Sequence, residues 1–142
     1  MTIAAILAGK GRDVIAIAPT ATVMEAAAML AERRIGAVPV VEGDSVVGIF
    51  SERDVIHALS KGGVEALQGA VGAAMTSPPI TVAPQDSVLG ALSLMSRRRI
   101  RHLPVLDGGA LTGFVSIGDL VKYRIDRIEA DAAAMRDYIQ SA

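Results

Sequence analysis

The chain repeats itself. Residues 16–60 align with residues 81–125 at a constant offset of 65, without a gap, and thirteen of the 45 aligned pairs are identical. The identities include Pro19/Pro84, Arg34/Arg99, Pro39/Pro104, Gly48/Gly113, Ser51/Ser116 and Asp54/Asp119, and most other pairs exchange one apolar residue for another. A period of this length, present twice, predicts two similar supersecondary units related by an approximate twofold axis. Any cleft on one unit then has a counterpart on the other.

Each repeat is too short to bury much surface alone, since a domain of about 60 residues removes only ~60% of its chain from water. The two units are therefore expected to share one module. Apolar residues make up 51% of the 142-residue chain but aromatic residues only 3%, so Ala, Val, Ile, Leu and Met must fill the core. A net charge of −1 argues against a nucleic-acid footprint. The lack of cysteine removes disulfides, thiol catalysis and thiolate metal sites. The apolar stretch Ile3–Ala8 is too short for a signal segment, and no apolar run approaches the ~18 residues of a membrane span. A soluble, cytoplasmic protein without membrane or nucleic-acid partners is expected.

Periodicity places the elements. Thr2 caps a short helix ended by Gly9, Lys10–Asp13 is a polar loop, and Val14–Ala18 reads as a strand stopped by Pro19. Thr22 and Glu25 have capping-box spacing and open a helix with the apolar stripe Val23, Ala26, Ala27 and Leu30. Strands over 37–41 and 46–50 flank the turn at Glu42–Asp44, and Ser51 starts a second helix. The second repeat copies this order, with strands at 80–83, 102–106 and 111–115, a helix capped by Ser87 and another opened by Ser116. A small helical piece before Met75 and a Pro-Pro break join the repeats. The predicted class is α+β: two βαββα repeats with packed sheets, residues 1–65 forming repeat 1 with the N-terminal helix, 66–125 repeat 2, and 126–142 a helical extension.

That extension continues the last helix. Val121, Ile125, Ile128, Ala132, Met135 and Ile139 are spaced as an a/d heptad seam. The seam can fold back on its own domain or pair with a second subunit. Homodimer pairing is the expected arrangement, because the tail lies beyond the repeated unit and finds no partner within it.

The residues most suited to ligand chemistry are Ser51-Glu-Arg-Asp54 and Ser116-Ile-Gly-Asp119, each where a strand hands over to a helix. A Ser three residues before an acid is itself a capping arrangement. Its recurrence at matching positions, after Gly48-Ile-Phe and Gly113-Phe-Val, adds a second meaning. A carboxylate at a helix mouth can accept two sugar hydroxyls, and free helix N–H groups with a Ser hydroxyl suit a phosphate. No nucleophile–base pair and no metal constellation stands out, so no catalytic residue and no metal ligand is assigned. Arg97–Arg99 can form a phosphate patch, but Arg97 and Arg98 read rather as solvated helix-end arginines.

These signatures together resemble the cystathionine β-synthase (CBS) domain, and the pair resembles a stand-alone tandem CBS module. The resemblance rests on the Arg-Arg-Ile helix ends, Val38-Pro-Val40 and Leu103-Pro-Val105, the Gly43 and Gly108 turns, and the two Gly-to-Asp segments ending at Asp54 and Asp119. It implies two related clefts that take adenine nucleotides or similar adenosyl ligands: AMP or ATP, NAD(H), or S-adenosylmethionine. By position, Asp54 and Asp119 would hold ribose hydroxyls, Ser51 and Ser116 the sugar–phosphate junction, and backbone near Val14 and Ile80 the base. Arg101 and His102 match basic residues that face phosphates. Their repeat-1 equivalents are Gly36 and Ala37, so Lys10, Arg12 and Arg53 are expected to substitute in the cleft of repeat 1. The implied role is a non-catalytic sensor of energy or redox state that acts on an unidentified protein target. The competing reading is a ligand-independent scaffold that works through its C-terminal helix.

Overall fold

The computed structural model describes residues 1–11 and 13–141. The chain begins with helix α1 (Ile3–Lys10) and continues through α2 (Val23–Arg33), β1 (Ala37–Glu42), β2 (Ser45–Ser51) and α3 (Glu52–Gly62). A 3-10 turn (Gly63–Gln68) and the short α4 (Val71–Ala74) lead to α5 (Val88–Arg98), β3 (His102–Asp107), β4 (Ala110–Ser116) and the 25-residue α6 (Ile117–Ser141). The expected repetition of helix, hairpin and helix is present in both halves, an α+β architecture with two antiparallel hairpin sheets and a long C-terminal helix.

The two hairpins match in detail. Ala37 pairs with Ser51 and His102 with Ser116, and each register slips by one residue at the same place, after Val40 in the first and after Val105 in the second. The bend next to each turn is therefore a shared feature of the repeat. Gly43 and Gly108 make the turns with φ of 59° and 60°, a conformation that costs glycine little. The first strand of each hairpin is buried continuously, over residues 37–40 and 103–105, and Val38, Val40, Leu103 and Val105 join helix residues in the core.

The strands expected at 14–18 and 80–83 are shorter than predicted. Each is a single parallel bridge, Ile17 to Val40 and Val82 to Val105, held by two backbone hydrogen bonds. Pro19 and Pro84 follow two residues later and supply no N–H, so a longer ladder cannot continue. Helix α1 likewise runs one residue past Gly9, through Lys10, and ends at Gly11 with φ 98°.

The core lies in two clusters. The first gathers Val23, Ala26 and Leu30 of α2 with Val38, Val40, Phe50 and Val71. The second gathers Val88, Ala91 and Met95 of α5 with Leu103, Val105, Val115 and Leu120, and also Ile3, Ile6 and Leu7 of α1. The N-terminal helix thus packs into the second repeat although chain order places it with the first. Its counterpart is α4, which precedes repeat 2 yet buries Val71 in the core of repeat 1. Two glycines record this exchange. A Cβ on Gly113 would stand 2.6 Å from Leu7 Cδ2, and one on Gly48 would stand 2.6 Å from Met75 Sδ and 2.9 Å from Thr76 O. The missing side chain lets each lead-in segment lie close on the opposite hairpin, most tightly at Gly48, where backbone is met.

Candidate functional site

Helix mouths build the acid positions. In α3, Ser51 N donates to Asp54 Oδ2 at 2.9 Å, and Asp54 N donates to Ser51 Oγ at 3.4 Å. In α6, Ser116 N donates to Asp119 Oδ2 at 2.8 Å, and Asp119 N donates to Ser116 Oγ at 3.1 Å. Both Ser–Asp pairs are thus capping boxes, as their spacing predicts. A further bond differs between them. Thr76 Oγ1 donates to Asp54 Oδ1 at 3.1 Å, whereas Lys10 Nζ lies 2.6 Å from Asp119 Oδ2 and 2.7 Å from Phe114 O. A carboxylate offers about four acceptor positions, so neither acid is saturated.

Each acid opens on a cavity. The first, about 590 Å³, is lined by Ser51, Arg53 and Asp54 together with Ile80, Arg101 and His102. The second, about 440 Å³, is lined by Lys10, Val14, Ser116 and Asp119, and again by His102. Both fall within the volume range of small-molecule sites, roughly 300–1,000 Å³. Arg12 lies outside the described residues.

The partition of basic residues corrects the expected one. Arg101 and His102 were assigned by repeat to the Asp119 cleft, and Lys10 to the Asp54 cleft. Instead Arg101 lines the Asp54 cavity, Lys10 pairs with Asp119, and His102 lines both cavities. Arg53 lies in the Asp54 cavity, as expected. The reason is the crossing of the lead-in segments. Thr76 bridges to Ile49 on β2, then Val82 pairs with β3, so residues between them pass from the first sheet to the second. Each cavity therefore combines the acid of one repeat with the helix end and lead-in segment of the other. The close approaches at Gly48 and Gly113 were the sequence signal for this crossing, but one that repeat alignment alone does not interpret.

His102 stands where the repeats meet. Its ring stacks on Phe114, with centroids 5.5 Å apart and planes inclined by 13°. A Cβ on Gly36 would come within 3.3 Å of His102 Cε1. Gly36 of repeat 1 thus leaves room for the His102 ring. Burial pushes the His102 pKa below its ordinary value; Lys10 and Arg101 add to this, while Asp119 and Glu52 oppose it. Asp119 is held below the usual carboxylate value: burial pulls the other way, but the Lys10 ammonium and the Ser116 hydrogen bonds outweigh it.

Sequence reasoning passed over several lining residues: Glu52 and Thr76 border the first cavity, and Arg34 and Phe114 the second. Arg98 and Arg99, weighed as part of a phosphate patch, border the first. Arg98, read as a solvated helix-end residue, reaches the cavity because α5 ends at its rim. Among the described residues no group of three metal-ligating side chains is clustered, and no helix is long and apolar enough to cross a membrane.

Comparison with known proteins adds independent findings. A family model described as the CBS domain matches residues 11–61 and again residues 71–126. The CBS domain-containing protein CBSX3, mitochondrial, of Arabidopsis thaliana is 35% identical over 124 residues, 84% of this chain and 60% of that relative. The chain thus spans less than two thirds of that relative's length. Among solved structures, a CBS-domain-containing protein of Agrobacterium tumefaciens superposes with a TM-score of 0.83 at 39% identity, covering 87% of this chain and 92% of the other. A CBS domain protein of Pyrobaculum aerophilum, solved in complex with AMP, superposes with a TM-score of 0.74 at 32% identity, covering 84% and 89%.

Proposed function

The chain belongs to the CBS-domain family, as a tandem pair of CBS repeats, and from that premise we propose that it is a non-catalytic regulatory module whose two clefts bind adenine nucleotides or related adenosyl ligands. One observation carries this reading. Asp54, at the mouth of α3, shares a cavity of about 590 Å³ with the Ile80 segment and with Arg101 and His102. Such a cavity offers an acid for ribose hydroxyls, the backbone groups and apolar side chain of the Ile80 segment for a base, and charge for phosphate. The second cleft repeats the acid at Asp119 beside Val14. The AMP complex of the similar P. aerophilum protein supports AMP as the first ligand to test, with ATP, NAD(H) and S-adenosylmethionine beside it.

Occupancy of clefts that join the two repeats would alter how those repeats pack, and a protein target would read the change. The working unit is a homodimer joined through the α6 seam, whose Ile125, Ile128, Met135 and Ile139 are 49–65% exposed in the single chain. The setting is the cytoplasm. The same exposed seam favours the second reading, a scaffold that needs no ligand. Titration calorimetry with AMP, ATP, NADH and S-adenosylmethionine separates the two. Binding that Asp54→Ala or Asp119→Ala weakens by about tenfold or more supports the sensor. No heat and no thermal shift with any of the four leaves the scaffold.

A further inference from the structure

A single imidazole stands between the two clefts. Gly36, Ala37 and His102 border both cavities. Under the 65-residue offset Ala37 and His102 are equivalent, so the junction receives a methyl group from one repeat and a ring from the other. Each of the two opens the first strand of its hairpin and pairs with the serine that caps the following helix, Ala37 with Ser51 and His102 with Ser116. Backbone hydrogen bonds tie the same places again, from Glu52 N to Gly36 O at 3.0 Å and from Ile117 N to Arg101 O at 2.8 Å. The junction is thus braced against the start of α3 on one side and of α6 on the other, where Asp54 and Asp119 stand.

We propose that His102 couples the two clefts with a negative sign, so that a ligand in either one lowers the affinity of the other for a like ligand. The inference rests on the adenosyl-ligand reading above and deepens it by giving the two sites a rule of joint occupancy. Two histidines would let each cleft keep its own ring; with Ala37 at the equivalent place, they share one. The sign follows from that sharing, whichever way a ligand meets the ring. A ligand that attracts the ring draws it off the wall of the neighbouring cavity, which loses the same partner. A ligand that needs the space pushes the ring toward the neighbouring cavity, which loses volume. A side chain occupies one rotamer at a time, so one ring cannot adapt to two ligands at once. Linkage makes the effect reciprocal, and coupling between sites is typically about 5- to 150-fold in affinity.

The test is titration calorimetry with AMP on the full chain. Asp54→Ala leaves the Asp119 cleft to be read alone, and Asp119→Ala leaves the Asp54 cleft. In wild type the second AMP should bind at least about fivefold more weakly than the same cleft does in its single-site variant. Repeating the three titrations in a His102→Ala background should bring the second event to within about twofold of its single-site value. A thermal melt verifies that each variant is folded. The imidazole signal of His102 by NMR gives a reading that needs no change at position 102: it should move with AMP in both Asp54→Ala and Asp119→Ala. A wild type that takes one AMP, with the other cleft filling only once its neighbour is disabled, is the limiting form of the expected result. Independent binding in wild type, a second AMP that binds more tightly, or a coupling that survives His102→Ala overturns the inference. So does an imidazole signal that responds to one cleft only, or a cleft that stays empty even when its neighbour is disabled. In each of these cases AMP still binds, and only this inference falls. If AMP binds neither wild type nor variants, the adenosyl reading falls with it.

Discussion

Lys10 Nζ lies 2.6 Å from Asp119 Oδ2, joining residues 109 positions apart in the chain. The pair ties the end of α1 to the start of α6, and it gives Asp119 a cationic partner where, among the described residues, Asp54 has the Thr76 hydroxyl. The side chains are 40% and 28% exposed, so the pair is screened and contributes little to global stability. Lys10→Met should cost less than about 1 kcal/mol in urea unfolding at neutral pH. Its clearer effect is on the acid. The depressed Asp119 pKa means that its stabilising contribution is present above the ordinary carboxylate value and is lost as pH falls through the depressed one. In Lys10→Met that loss should be smaller and complete at a higher pH, seen as an upward move of the Asp119 carboxyl titration by NMR. An unmoved titration would mean that the pair does not form in solution.

Two glycines carry the crossing of the repeats, and they should not respond equally to a methyl group. An alanine at Gly113 meets only the far end of the Leu7 side chain, whereas one at Gly48 also meets the Thr76 carbonyl at 2.9 Å. That carbonyl is fixed by Ile49 N at 3.0 Å. Gly48→Ala should destabilise by about 1–3 kcal/mol and Gly113→Ala by less. Chemical denaturation gives both values, and the reverse order would contradict the packing described.

His102 predicts a pH dependence with a definite sign. Its pKa is lowered in the folded protein, chiefly by burial, so the unfolded chain binds more protons between that lowered value and the ordinary 6.5. Stability should therefore rise with pH through this window and fall as the solution is acidified below about 6.5. His102→Gln should flatten the slope, as measured by thermal melts across the window. A phosphate near the ring would favour its charged form, so nucleotide binding should tighten on acidification in wild type and not in His102→Gln. A wild-type affinity that does not change with pH would remove His102 from the site.

The seam on α6 predicts self-association. Ile128 and Met135 are 55% and 59% exposed in one chain and share the stripe with Ile125 and Ile139. Sedimentation should give a dimer for the wild type and a monomer for the Ile128→Asp, Met135→Asp double variant, with nucleotide binding within each chain retained. A wild-type monomer at micromolar concentration would rule out the pairing.

Local patterns sufficed for the hairpins, the caps and the two acids. The Ser51–Asp54 and Ser116–Asp119 boxes need only a three-residue spacing, and the turns at Gly43 and Gly108 need only a residue that accepts positive φ. These are short-range constraints, legible wherever their residues occur in order, and the repeat made them legible twice. The division of the clefts was not legible in this way. That Arg101 serves Asp54, that Lys10 closes on Asp119, and that one imidazole borders both cavities depend on α1 and α4 crossing to the opposite hairpins. Crossing is decided by where Leu7 and Met75 find open backbone at Gly113 and Gly48, contacts between residues far apart in the chain. An alignment of the repeats records which residues are equivalent, but the neighbours each one acquires are chosen only when the two halves pack.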